Sequence, residues 1–373
     1  MRQSQTDRVR WTIMSSTLLC ALQACGNSDL ASRPDRDEAK PTELAIVANA
    51  LPRDETQTEV SDWVVTEEWR IGGLSGTGAE EFSEIEAMVT DGDGTLFVLE
   101  DLAQEVRVFD SQGEYSHSFG GRGGGPGEFV NAGGLNTGPD GKIWVWDPGN
   151  RRFSAFLPSG EFIASHTRQI PELVYPWRGE FTPEGELVDW GLDRVETGIP
   201  NTEPTQTLLI PVNLGLDFAQ YDTLPAVVFE QDNTADNRAR LPFGRRALLY
   251  LDRSGYVWSA PTRDYEVFCR HVRSERPFLQ FSLEARPARV TGQEMDSLRL
   301  IIDRVPPFVR PPMEAALQEM SRVKPAINSI FSDDEEYLYV IPQLDGIPVG
   351  AIIDVFGRDG TYYGEREIPY AAA

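Results

Sequence analysis

Sliding the chain against itself by 47 residues superimposes residues 73–116 on residues 120–163 without a gap. Gly73 falls on Gly120, Gly76 on Gly123, Gly78 on Gly125, Glu81 on Glu128 and Phe82 on Phe129. The match continues through Thr90 and Thr137, Val98 and Val145, Phe109 and Phe156, and Gly113 and Gly160. A repeat of this period is one supersecondary unit that cannot bury its apolar faces alone, so copies must stack on one another. Within the first copy, IEAMVT, TLFVLED, EVRVFD and EYSHSFG alternate apolar and polar residues between the turn signals DGDG and SQG. The second copy reads GGLNT, KIWVWD, RRFSAF and EFIASH. Each copy therefore predicts four short antiparallel strands joined by tight turns. A four-stranded unit of about 40 to 50 residues is what a propeller blade requires.

The rhythm continues more faintly. FTPEGELVDW, LDRSGYVWSA and FSDDEEYLYV each read as a first strand, a turn and a second strand, with later pairs in TLLIPVN, YEVFCRHV and AIIDVFGRDGTYYGEREI. That makes five inner-strand signatures, and the 33 glycines and 26 prolines of the 373 residues suit a turn-rich chain. The expected fold is all-β, a β-propeller of four-stranded blades over residues 60–371. Residues Trp63–Ile71 precede the first glycine loop, where an outer strand belongs. One stretch breaks the pattern: at 291–322, Thr291 and Glu294 form a capping-box signature and Pro311-Pro312 can open a second helix. A helical insertion there serves either as a lid over one face or as packing between blades.

FGGRGGGPGEF, from Phe119 to Phe129, invites a phosphate-loop reading, but it matches neither G-x-G-x-x-G nor a P-loop with its Lys-Ser or Lys-Thr. Its counterpart GLSGTGAEEF makes it the link from one blade to the next, with glycines permitting a tight crossing and Phe129 anchoring it in the core. With PDGKIWVWDPGNRRFSAFLPSGEF behind it, this region resembles the NHL-repeat family of β-propellers. Asp147, Asn150 and Arg152 stand at the family's D-x-x-N-x-R positions, and Glu100, Ala103 and Glu105 replace them in the first copy. The resemblance, to six-bladed lipoproteins of this type, implies six blades, with five as the alternative count. Some NHL-like propellers are lyases and propeller lactonases hold a divalent cation in the channel, so the resemblance also carries an enzymatic alternative.

The N-terminus reads as an export signal. Arg2, Arg8 and Arg10 precede an uncharged, largely apolar run from Trp11 to Ala24, and Leu22-Gln23-Ala24-Cys25 resembles a bacterial lipoprotein junction. This implies a signal peptide over 1–24 and lipidation at Cys25; an ordinary cleaved signal is the other reading. Residues 25–59, polar and interrupted by Pro34, Pro41 and Pro52, read as a flexible tether. The expected location is the cell envelope, as a periplasmic or outer-membrane lipoprotein. Loss of Arg2, Arg8, Arg10 and Asp7 takes the formal charge from −25 to −27. Such a chain repels polyanions, so nucleic acid is excluded as a partner and membrane attachment falls to the acyl chains.

Propellers bind on the face built by the loops between second and third strands and by the interblade links. That face is expected to hold Arg122, Arg151, Trp177, Arg178, Arg263 and Asp264. Arginines gathered there would make an anion or carboxylate site, or would pair with carboxylates between blades. Asp147 and Asn150 suit turn backbone instead. His117, His166 and His271 fall on third or outer strands, away from the channel, so no metal site is assigned. Calcium on Asp and Glu stays open as a cofactor, although DGDG reads as a hairpin turn. There is no G-x-S-x-G elbow, and Cys269 in VFCRHV reads as an inert buried thiol. The expected role is a binding or scaffold module for a protein, peptide or small-molecule ligand, the alternative being a cation-dependent lyase or lactonase.

Overall fold

The computed structural model describes residues 44–51, 67–72, 78–168, 177, 179–194, 205–214, 221–231, 241–244, 246, 248–284, 287–333, 337–345 and 350–369. A short strand β1 (Ala45–Asn49) comes first. The first blade is β2 (Ile85–Thr90), β3 (Leu96–Glu100), β4 (Glu105–Phe109) and β5 (Tyr115–Gly120), paired in that order. The second is β6 (Gly134–Thr137), β7 (Ile143–Asp147), β8 (Arg152–Phe156) and β9 (Phe162–Thr167). The third runs β10 (Glu180–Phe181), β11 (Leu187–Arg194) and β12 (Thr205–Leu214), with its outer position split between β13 (Tyr221–Thr223) and β14 (Val227–Gln231). The fourth is β15 (Leu248–Leu251), β16 (Tyr256–Ala260), β17 (Glu266–His271) and β18 (Leu279–Leu283), and the fifth β19 (Ile327–Ser332), β20 (Tyr337–Pro342), β21 (Gly350–Gly357) and β22 (Tyr362–Pro369). The molecule is thus a β-propeller of four-stranded blades, five of them lying among the described residues.

The turns form as the sequence predicts. Asp91 of DGDG accepts the N–H groups of Asp93 (3.0 Å) and Thr95 (2.9 Å) through Oδ1. Asp110 does the same for Gln112 and Glu114, and Asp252 for Ser254 and Tyr256. An aspartate that holds its own turn leaves the strands on either side in register.

Every residue of β3 and β7 is buried, because a second strand in a propeller is covered by a neighbouring blade on each face. The packing repeats. Phe119, on the outer strand of blade one, stacks on Phe156 of blade two at 4.7 Å between ring centroids and 37°; Phe281 stacks on Phe356 between blades four and five at 4.6 Å and 35°. Each outer phenylalanine lies over a turn glycine. Gly160 and Gly360 have φ of +86° and +84°, and a Cβ on either would stand 2.8 or 2.9 Å from the phenylalanine Cβ. Two independent requirements thus exclude a side chain at these turns.

The insertion is two helices. In α1 (Gly292–Arg304), Thr291 and Glu294 close the capping box in both directions. In α2 (Arg310–Glu319), the prolines occupy the first turn, where no N–H is needed. Lys324 Nζ pairs with Glu294 Oε1 at 2.5 Å and donates to the Leu344 carbonyl, pinning the base of the hairpin to the blade behind it.

Two expectations change. The stretch 25–59 was expected to be tether throughout, yet Ala45–Asn49 forms β1, parallel to β18 on the outer edge of blade four. The physical reason is a five-residue run, AIVAN, free of charge and proline, that meets an open edge. Asn49 locks it: its Nδ2 donates to the carbonyls of Ser282 (3.1 Å) and Gly360 (2.9 Å), and its Oδ1 accepts the Tyr362 N–H. Of the outer strand expected at Trp63–Ile71, residues 63–66 lie outside the described residues, and 67–71 form no strand.

Candidate functional site: the interblade loop face

The loops between second and third strands and the links between blades come out on one face. Among the described residues, the links into the first, second and fourth blades are each held there by a side chain of the loop they meet. Asp147 accepts the N–H groups of Val130 (3.0 Å), Asn131 (3.0 Å) and Asn150 (3.2 Å), together with Asn150 Nδ2 at 2.7 Å. Glu100, one repeat earlier, accepts from Ser83 N (2.9 Å), Ser83 Oγ and Ala103 N (2.6 Å). Burial pushes the Glu100 carboxyl up, but the bonds from Ser83 and Ala103 outweigh it and hold the pKa below the ordinary glutamate value. In blade four Thr262 Oγ1 takes this part, accepting Arg246 N and donating to Arg246 O.

Arginine completes the clasp by a change of position. Arg152 donates to the carbonyls of Gly125 and Glu128. Its counterpart one repeat earlier is Glu105, yet Arg107, two residues on and so on the same strand face, reaches the carbonyls of Ala79 and Glu81. Glu105 in turn accepts Arg107 Nε at 2.9 Å. The first blade keeps the function of the D-x-x-N-x-R motif without its letters.

These contacts decide what the glycine-rich stretch does. Phe129 is fully buried, and a Cβ on Gly120 would fall 2.3 Å from its ring. Gly120, Gly121 and Gly127 have positive φ. Gly123 and Gly125 are needed for another reason, since the Glu128 side chain folds over them and accepts the Gly125 N–H at 2.8 Å. The N–H groups of Gly123 and Phe129 bond to carbonyls within the loop. It is a folded link that uses the N–H groups of Gly123, Gly125, Glu128 and Phe129 within itself.

The expected site residues fare differently. Arg122 is exposed and its Nη2 donates to the Leu102 carbonyl at 2.9 Å, tying the link to the β3–β4 loop rather than to a carboxylate. Arg151 is exposed and sits at φ +53°, the position Gln104 holds one repeat earlier at φ +57°. Gln104 is buried and accepts the Ala132 N–H. Trp177 is half-buried and donates through Nε1 to Asp189 Oδ1 at 3.0 Å, which makes it part of a blade interface. Arg263 and Asp264 are exposed on the β16–β17 loop. Arg178 and Cys25 lie outside the described residues. The face carries these groups on separate loops.

Sequence reasoning missed three features of this face. Leu102, at the tip of the β3–β4 loop, is 68% exposed. A cavity of about 190 Å³ between the first two blades is lined by Glu84, Glu86, Asp101, Asn131, Ala132 and Gly133. Arg168 and Asp189, both buried, form an ion pair at 2.6 Å, with the guanidinium 5.0 Å from the Trp146 ring. The register of the repeat, which sets Leu102 on Gly149 and Glu84 and Glu86 on Asn131 and Gly133, could have flagged the first two. Nothing in the local sequence announces the third, whose members belong to different blades.

Other chemistry is placed as expected. His117 and His166 are on outer strands and His271 ends a third strand. Burial raises the Cys269 thiol well above its ordinary range, which suits an inert core residue. Among the described residues no group of three or more His, Cys, Asp or Glu is placed to hold a metal ion, and no helix is long and apolar enough to cross a membrane.

Comparison with known proteins adds the following. No curated protein matches the chain. Among solved structures the chain is similar to a candidate exported protein of Bacteroides fragilis, with 11% identity over 87% of this chain and 80% of that one and a TM-score of 0.46. It is also similar to a member of the DUF4221 family from Bacteroides vulgatus (13% identity, 77% and 82% covered, TM-score 0.44). A third likeness is to virginiamycin B lyase from Staphylococcus aureus (11% identity, 76% and 69% covered, TM-score 0.35). Residues 74–166, the first two blades, match the DUF5128 family model, described as a 6-bladed beta-propeller, which is the blade number that the resemblance implied, against the five inner-strand signatures counted in the sequence.

Proposed function

We propose that this chain is an exported lipoprotein, held at the cell envelope through acylated Cys25, whose interblade loop face is a binding or scaffold module for a protein, peptide or small-molecule ligand. The supporting observation is how that face divides its groups. Buried Glu100, Asp147, Arg107 and the half-buried Arg152 are committed to loop backbone, as is the exposed Arg122 through the Leu102 carbonyl, while Leu102, Arg151, Arg263 and Asp264 stand exposed on the loops so fixed. Rigid loops that display apolar and charged side chains suit recognition, because little conformational entropy is lost when a partner docks.

Photo-crosslinking amino acids at Leu102 and Arg151, with Asp93 and Asp140 on the opposite face as controls, test the binding role in intact cells. Discrete adducts from 102 and 151 and none from 93 and 140 are expected; equal yields from both faces, or none from either, refute it. The anchor is tested separately by Cys25→Ala, which is expected to move the protein from the membrane to the soluble fraction. Unchanged fractionation refutes lipid attachment.

A further inference from the structure

Two outer strands wedge a phenylalanine onto the turn glycine of the blade that follows, Phe119 on Gly160 and Phe281 on Gly360. Blade one carries the matching glycine, Gly113 at φ +80°, between β4 and β5. Its wedge comes from the chain ahead of the blade: a Cβ on Gly113 would stand 3.0 Å from the Trp69 ring. The match extends along the chain. Ile71, two residues on and so on the same side of an extended segment, joins the cluster of Leu96, Val98 and Phe109 with Phe82. Phe119 joins the cluster of Ile143, Val145 and Phe156 with Phe129, each the same position one repeat later. Gly72 has φ +91° and faces the Phe82 ring, as Gly120, at φ +97°, faces Phe129. His117, two residues before Phe119, bonds to the Pro158 carbonyl in the turn of blade two. Trp69, Ile71 and Gly72 therefore stand to blade one as His117, Phe119 and Gly120 stand to blade two.

Blade five does not supply a wedge of this kind. Its outer strand sets Arg366 opposite Ile353, where Phe119 lies opposite Val106 and Phe281 opposite Val267. Arg366 donates through Nη1 to the adjacent Glu365 carbonyl, and its Nε and Nη2 are buried without a hydrogen-bond partner. Hydrophobic clusters join blade one to two, two to three, three to four and four to five, and among the described residues none joins five to one. We propose that Trp69–Gly72 closes the ring, holding the place of the end of an outer strand between blades five and one, so that the chain ahead of blade one, and not the C-terminal strand β22, is the clasp of the propeller. The closure lies downstream of β1 in the chain. A pull from the N-terminus therefore meets the attachment of β1 to blade four before it reaches the clasp.

Native-state hydrogen exchange of the full-length protein tests this blade by blade. Trp69→Ala is expected to lower protection about thirtyfold in β3–β4 of blade one and in β21–β22 of blade five, with β7–β8 and β16–β17 as in the parent, because opening a seam frees the blades on both sides of it. Should Trp69→Ala fail to fold, Ile71→Val, one carbon smaller, is expected to give the same pattern at about fivefold. Loss confined to β3–β4 overturns the proposal, since the segment would then cover blade one and nothing more. An equal loss in every blade also overturns it, by assigning Trp69 and Ile71 to general stability, and so does unchanged protection throughout.

Discussion

Asp354 gives the fold a pH dependence of its own. Its carboxylate is buried between blades four and five, accepting the hydroxyls of Tyr265 (2.6 Å) and Tyr362 (2.9 Å). Burial raises its pKa from 3.8 to about 6, the two tyrosine bonds pull the other way, and Glu365 adds to the rise. Because the folded pKa lies above the unfolded one, the native state binds more protons between those values. Stability from this group is therefore present below about pH 4 and is lost as pH rises through about 6. A shift of roughly two units corresponds to about 3 kcal/mol. Asp354→Asn keeps the volume and removes the charge; its Oδ1 still accepts one tyrosine hydroxyl while its Nδ2 donates to the oxygen of the other. Urea unfolding of both proteins from pH 4 to 8 should show the variant's advantage growing by about 3 kcal/mol between pH 4 and 7, then levelling. Taking the difference cancels the other carboxylates, among them Glu100, whose depressed pKa acts in the opposite sense. Tyr265→Phe, which removes a bond that lowers the pKa, should move the window to higher pH. A difference between parent and Asp354→Asn that is flat from pH 4 to 8 would refute the reasoning.

Two further substitutions examine the clasp. Asp147→Ala strands three backbone donors and removes one of the partners of Asn150 Nδ2, which keeps its bond to the Gly123 carbonyl, and should cost about 3–5 kcal/mol in urea unfolding; a loss below about 1 kcal/mol would mean that water replaces the carboxylate freely. Arg107→Ser should speed proteolysis in the Gly78–Glu81 link, and adding Glu105→Arg, which reproduces the arrangement of Arg152 and Ser154, should slow it again; no rescue would show that the two arginines are not interchangeable.

The two full repeats were legible because each strand alternates and each turn carries its own Asp or Gly, so Asp91, Asp110 and Gly160 announce local structure without reference to the rest of the chain. The capping box at Thr291 is legible for the same reason. β1 was not, because a strand at an edge depends on the edge: AIVAN is uncharged but sits in polar surroundings, and only the open side of β18 selects it. The candidate face was legible in outline through Arg122, Arg151 and Arg263. The contact made by each was not, since Arg122 finds a carbonyl and Trp177 finds Asp189 across sequence distances that periodicity does not encode. Arg107 shows the same limit in reverse. A motif scan that sees Glu105 reports a loss, while the geometry finds the guanidinium two residues along.

The parallel pairing of β1 with β18 also determines how the domain responds to force. Tension on the chain N-terminal to Ala45 pulls β1 along its own axis, so the five register pairs from Ala45↔Leu279 to Asn49↔Leu283 are loaded together in shear instead of being peeled one after another. Asn49, at the far end of the strand, carries part of that load into blade five through Gly360 and Tyr362. A pull on the chain ahead of β1 would thus be shared between blades four and five.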